Sequence, residues 1–121
     1  MHPSSQVRSA YATAPVRTAR DAEYAIFATV TCALRAADET NYPEFARAVT
    51  DNQRLWGALA EDLMSEGNAL PVPLRANLIS LAEFVRKHTM AVLGGRAGVA
   101  PLVDINTMIM KGLRGDVEAA A

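Results

Sequence analysis

Cysteine is nearly absent from this 121-residue chain: Cys32 stands alone, so no intramolecular disulfide can form and a reducing compartment suits the protein. Histidine is almost as scarce. His2 and His88 are the only two, and with one cysteine they cannot supply a closed metal-ligand set. No stretch approaches the ~18 consecutive apolar residues of a membrane span. The first thirty residues lack the apolar core and cleavage site of a secretory leader, so a cytoplasmic protein is expected. Charge of either sign is also lacking in excess: 12 basic against 13 acidic residues leave a formal charge of −1, which argues against a sequence-independent grip on nucleic acid. Ten of the twelve cations are arginine, the exceptions being Lys87 and Lys111; this suits bidentate pairing with carboxylates but equally reflects coding bias.

What the chain does have is apolar surface. Half of it is hydrophobic, with 23 alanines and only 21% charged residues, a composition that folds rather than stays disordered. Its length fits one domain of about 100 to 150 residues, large enough for a single core.

Residues 1–17 are small and polar with prolines at both ends of the stretch, and read as an N-terminal arm whose only large side chain is Tyr11. From Thr18, which with Asp21 resembles a capping box, Ile26, Val30, Leu34 and Ala37 recur at helical spacing and predict a first helix over 18–38. Phe27 lies off that stripe, widening it or sitting at its edge. Pro43 marks the start of a second helix over 43–66, closed at Gly67-Asn68 by a left-handed residue. Along it Phe45, Val49, Asn52, Trp56, Leu59 and Leu63 step by four and three.

Pro71 and Pro73 forbid continuous helix between 69 and 73, and Pro73 opens a third helix to residue 93. Its stripe is Leu74, Leu78, Leu81, Val85, His88 and Val92, with Ile79, Phe84 and Leu93 beside it. Gly94-Gly95 stops it. Pro101 opens a fourth helix over 101–114 with Leu102, Ile105, Ile109 and Leu113 on its apolar face, leaving a tail at 116–121. No window alternates with period two, so the fold class is all-α: a small four-helix bundle or stacked helical hairpins, with 18–115 as one domain.

Chemistry-bearing constellations are missing. His88 on an apolar helical stripe reads as a packed, hydrogen-bonded residue rather than a ligand. Gly94-Gly95-Arg96-Ala97-Gly98 follows a helix, not a strand, and lacks the Lys-Ser/Thr ending of a phosphate-binding loop. Glu61 and Asp62 are adjacent, hence roughly 100° apart on a helix, and make no acid–base pair; they form a solvated edge or a partner-facing charge. On the third helix Glu83 interrupts Arg75, Arg86 and Lys87, and the prolines separate the helices too far for a tight helix-turn-helix. No enzyme and no cofactor are therefore expected.

The remaining feature is a surplus of leucine, methionine and aromatic side chains, which suits a helix-in-groove contact with a protein partner. Adjacent helical residues cannot face the same way, so Trp56 on the stripe is assigned to the core and Leu55, with Asp62, to a contact face. Tyr11, Leu55, Asp62, Met108 and Met110 are the candidate partner-binding residues. Asn52, an amide in an apolar seam, must find a polar partner; Asn106 on the fourth helix is the candidate, the pair fixing register at some cost in stability.

The run Asn52-Gln53-Arg54-Leu55-Trp56 with Leu59, Asp62 and Leu63, then Asn68-Ala69-Leu70-Pro71, Leu74-Arg75, Leu78-Ile79-Ser80-Leu81, Ile105-Asn106 and Gly112-Leu113, resembles the FlaF family of flagellar proteins. Ser9-Ala10-Tyr11 resembles the start of that family's pattern, and the likeness extends over about residues 9–115. The resemblance implies a helical, non-enzymatic protein that binds flagellin as a secretion chaperone and promotes its synthesis and export, alongside the opposing regulator FlbT as a second candidate partner. Flagellin's ends are long amphipathic helices that need shielding before export. Two other expectations stand beside it: a regulator acting on flagellin messenger RNA directly or through FlbT, and a structural helical module that only forms homo-oligomers.

Overall fold

The computed structural model describes residues 15–120, with side-chain surroundings over 22–114. Within the described residues the chain forms four α-helices and no strand: α1 (Pro15–Ala36), α2 (Tyr42–Leu63), α3 (Val72–Leu93) and α4 (Ala100–Ala120). The expected all-α bundle is the fold. The closely packed pairs are α1 with α4, α2 with α3, and α1 with α2; α3 and α4 are not among them.

Helix ends follow local chemistry, with departures from the expected boundaries. α1 starts at Pro15 rather than Thr18, because proline is tolerated in the first turn, so Thr18 lies inside the helix and not at its start. At α2, Asn41 precedes the first turn and its amide donates to Glu44 Oε2 at 3.3 Å; Pro43 falls within that turn. α2 ends at Leu63, earlier than expected. Met64 keeps right-handed geometry and its N–H reaches the Ala60 carbonyl, so no left-handed glycine is needed at Gly67. The left-handed residue is instead Gly95, φ 74°, after α3. There Arg96 N–H bonds the Ala91 carbonyl at 2.8 Å and Gly95 N–H the Val92 carbonyl at 3.1 Å, the paired closure of a Schellman motif. α4 continues through Gly115 to Ala120 instead of ending in a tail from 116, since an interior glycine costs only about 1 kcal/mol and alanines follow it.

The core is built from Phe27 and Leu34 of α1, Phe45, Val49, Trp56 and Leu63 of α2, Ala82, Val85 and Val92 of α3, and Leu102 of α4. Phe27 meets Trp56 edge-on with centroids 5.9 Å apart. On α1 the buried line is therefore Phe27, Thr31 and Leu34, while Ile26 is 52% exposed. The stripe expected through Ile26 and Val30 is rotated outward by about one residue's turn of the helix. On α3 the line runs through Ala82, Val85, Thr89 and Val92; Leu74 and Phe84 lie outside it. His88 sits beside that line. Its Nε2 bonds the Gly98 carbonyl at 2.8 Å and its ring stacks on Phe84, tying α3 to the connection before α4.

The α1–α2 turn is held by Asp38, whose Oδ1 accepts the Thr40 N–H at 2.9 Å. Hydrogen bonds from the Thr40 side chain, then from its backbone, hold this carboxyl below the ordinary aspartate value. A lowered native pKa contributes stability above the unfolded value and loses it as pH falls through the native one. The gap in urea stability between wild type and Asp38→Ala should thus be widest at neutral pH and narrow in acid; a gap independent of pH would contradict that role.

Candidate functional site

Two features stand out on this scaffold: a buried polar node inside the bundle and an open apolar groove at one end. The node is centred on Asn106 of α4. Its Nδ2 donates to Asn52 Oδ1 at 2.7 Å and to Thr31 Oγ1 at 3.1 Å, and its Oδ1 accepts the Trp56 Nε1–H at 2.9 Å. All four residues are at most 1% exposed. One side chain of α4 thus answers polar groups from α1 and α2, at a single axial position. The amides of Asn52 and Asn106 meet as the two apolar seams required. Thr31 is an addition that the pattern of α1 concealed, because a helical threonine can satisfy itself on its own backbone, here the Phe27 carbonyl at 2.6 Å. The Trp56 indole was the readable signal, since a buried N–H needs an acceptor.

The groove lies where α3 and α4 fail to close on each other. They are joined at the Gly94–Val99 end, and extended Pro71 sets the start of α3 at the other, so the N-terminal half of α3 flanks the C-terminal half of α4 across a gap of about 420 Å³. Its floor is Phe27 of α1 with Leu63 of α2, both buried. Half-buried Leu59, Leu78, Ile109 and Leu113 form the walls. At the rim Leu70, Leu74 and Met108 are 38%, 45% and 53% exposed. Gly112 keeps the α4 wall low: a Cβ there would meet nothing within 4 Å. Leu59, Leu63, Leu74, Leu78 and Leu113 belong to stripes that the sequence assigns to core, and only their position at an unclosed end turns them into a receptive surface.

Carboxylates of two helices enter the groove. Glu23 of α1 and Asp62 of α2 are its charged lining residues among the described residues, and Asn68 Nδ2 donates to Asp62 Oδ2 at 3.0 Å. The same Asn68 accepts the Leu70 N–H at 3.0 Å, so the α2–α3 connection and the Asp62 carboxylate are fixed together.

Of the sequence-derived partner candidates, Asp62 and Met108 line this groove. Leu55 and Met110 do not: both pack half-buried against the core, Leu55 because it lies seven residues, about two turns, before Asp62 on the same side of α2, and Met110 because it is rotated by about one residue from Ile109 on α4. Tyr11 lies outside the described residues. Asn52, Trp56 and Asn106 are interior, at the node.

Among the described residues no group of three or more histidine, cysteine, aspartate or glutamate side chains is placed to hold a metal, and no helix is long and apolar enough to cross a membrane. The family model described as Flagellar protein FlaF matches residues 7–113. No curated protein and no solved structure matches the chain.

Proposed function

Because this chain belongs to the FlaF family of flagellar proteins, we propose that it acts by binding flagellin as a secretion chaperone, receiving an amphipathic flagellin helix in the groove between α3 and α4 and so promoting flagellin synthesis and export. The observation that carries this reading is the groove itself: a buried floor, leucine walls, and the large apolar side chains of Leu70, Leu74 and Met108 left in solvent at its rim. Bundles normally cover such side chains, and an apolar recess with an exposed rim accepts the i, i+3, i+4 and i+7 anchors of a helix. Methionine at the rim adapts its shape to the occupant. Asn106 engages Trp56, Thr31 and the Asn52 carbonyl inside the bundle, so these polar groups are not offered to the groove. No reaction is assigned to it.

Calorimetric titration of monomeric flagellin into this protein should give micromolar or tighter binding. The double variant Leu74→Glu/Met108→Glu places two carboxylates on the rim, where both wild-type side chains are about half exposed and the fold is little disturbed. Affinity should fall about tenfold or more, as truncation of interface anchors does. Unchanged affinity in a variant with wild-type helicity would remove the groove from the mechanism.

A further inference from the structure

The groove carries a sign as well as a shape. Among the described residues its lining holds two carboxylates, Glu23 and Asp62, and no cation. Among the described residues Asp51 pairs with Arg54, and Glu83 with Arg86 and Lys87, while Glu39, Glu61, Glu66 and Asp104 are in no ion pair; Glu23 and Asp62 differ from these in facing an apolar groove. Neither Glu23 nor Asp62 is in an ion pair among the described residues. The Asp62 carboxylate is also pre-oriented, one oxygen being held by Asn68 while the other accepts nothing from the described residues. It sits in the last turn of α2, which contains no basic residue, so the negative end of the helix dipole adds to the same field.

We propose that the helix this groove receives is basic along one edge: an amphipathic segment with an arginine or lysine flanking its apolar stripe, paired with Asp62 and Glu23. This rests on the helix-in-groove reading above and specifies its occupant. A helix laid over the leucine walls strips water from the edge where the two carboxylates stand, and an acidic or neutral flank would leave them desolvated and unanswered. A guanidinium restores what the water supplied, and its fork matches the free oxygen of an already fixed carboxylate.

Three synthetic helical peptides of about 18 residues, identical in their leucine and methionine stripe but flanked by arginine, glutamine or glutamate, test this with the full-length protein by fluorescence anisotropy. Two partly solvated ion pairs predict that the arginine peptide binds about three- to tenfold tighter than the glutamine peptide, with the glutamate peptide weakest. The preference should collapse near 1 M salt, where the screening length is about 3 Å. In Glu23→Lys/Asp62→Lys the order should invert, and in Glu23→Gln/Asp62→Asn, the milder variant for use if the first is poorly folded, it should vanish. Equal affinities for all three peptides, no binding of any, or an order that ignores both variants would overturn the proposal. Flagellin titrated in parallel separates the two readings. Ordered peptides with no flagellin binding would sink the flagellin assignment and uphold the basic edge; bound flagellin with unordered peptides would do the reverse.

Discussion

Replacing Asn106 with leucine is expected to destabilise the fold by about 3 kcal/mol, although leucine has similar size and is far more apolar. The substitution deletes three hydrogen bonds at once. Thr31 keeps its bond to the Phe27 carbonyl, so its loss is small. Trp56 Nε1–H loses its acceptor, and Asn52 loses the donor to its Oδ1. The Nδ2 of Asn52 has no partner among the described residues to begin with, so the variant leaves that amide buried with nothing to bind. Two orphaned interior groups at about 1–3 kcal/mol each exceed what the extra apolar burial returns. Urea denaturation should register the loss with little change in its slope, and the thermal midpoint should fall by roughly 15 °C. Wild-type stability in the leucine variant would show that the node is dispensable. An intermediate result is expected for Asn106→Leu combined with Asn52→Leu: with both amides gone only the indole N–H stays unsatisfied, so the pair should cost less than the sum of the single changes.

Trp56→Ala should cost still more, about 3–5 kcal/mol, close to the whole stability of a small domain. The indole is 1% exposed, it supplies the flat surface that the Phe27 edge packs on, and its N–H anchors Asn106. Removing it opens a cavity between α1, α2 and α4 and leaves the Asn106 carbonyl oxygen without a donor. Trp56→Phe separates the two contributions: it keeps most of the packing, loses the hydrogen bond, and should cost about 1–3 kcal/mol. Circular dichroism of the alanine variant should show marked loss of helix at physiological temperature, and a cooperative, near-wild-type melt would contradict the placement of Trp56 at the centre of the core. The flagellin binding proposed above should survive Trp56→Phe, because the phenyl ring still supports Phe27, which forms the groove floor. The rim variant Leu74→Glu/Met108→Glu should behave oppositely, losing affinity at nearly constant stability. This contrast distinguishes the interior node from the exterior site.

The helices and their seams were legible because each depends on neighbours along the chain. Pro43, Pro73 and Pro101 each stand in the first turn of a helix, Gly94-Gly95 closes α3, and α2 carries its buried residues at the expected four-three spacing. The two amides could be matched from sequence since neither tolerates burial without a partner. On α1 the same reasoning misassigned the inner face. That helix has apolar residues at both Ile26/Val30 and Phe27, either of which leads on to Leu34, buried as expected, and periodicity cannot rank the two; Phe27 wins because its ring has Trp56 to meet. Met110 lies outside the groove because one residue's rotation separates it from Ile109, and Leu55 because it stands about two turns back along α2 from Asp62, a distance that a helical pattern alone does not relate to any opening.

Helix content, helix order and the need for a polar partnership at Asn52 and Asn106 were set by local chemistry: proline and glycine geometry, side-chain periodicity, and the penalty for an unanswered amide. The groove was decided only in three dimensions. Leu74, Leu78 and Leu113 carry no mark that distinguishes them from buried leucines, and they face solvent because α3 packs on α2 and α4 packs on α1 without α3 and α4 closing together. Whether an apolar face is filled or left open depends on the relative placement of whole helices, which arises from the sum of many weak contacts between residues far apart in the chain.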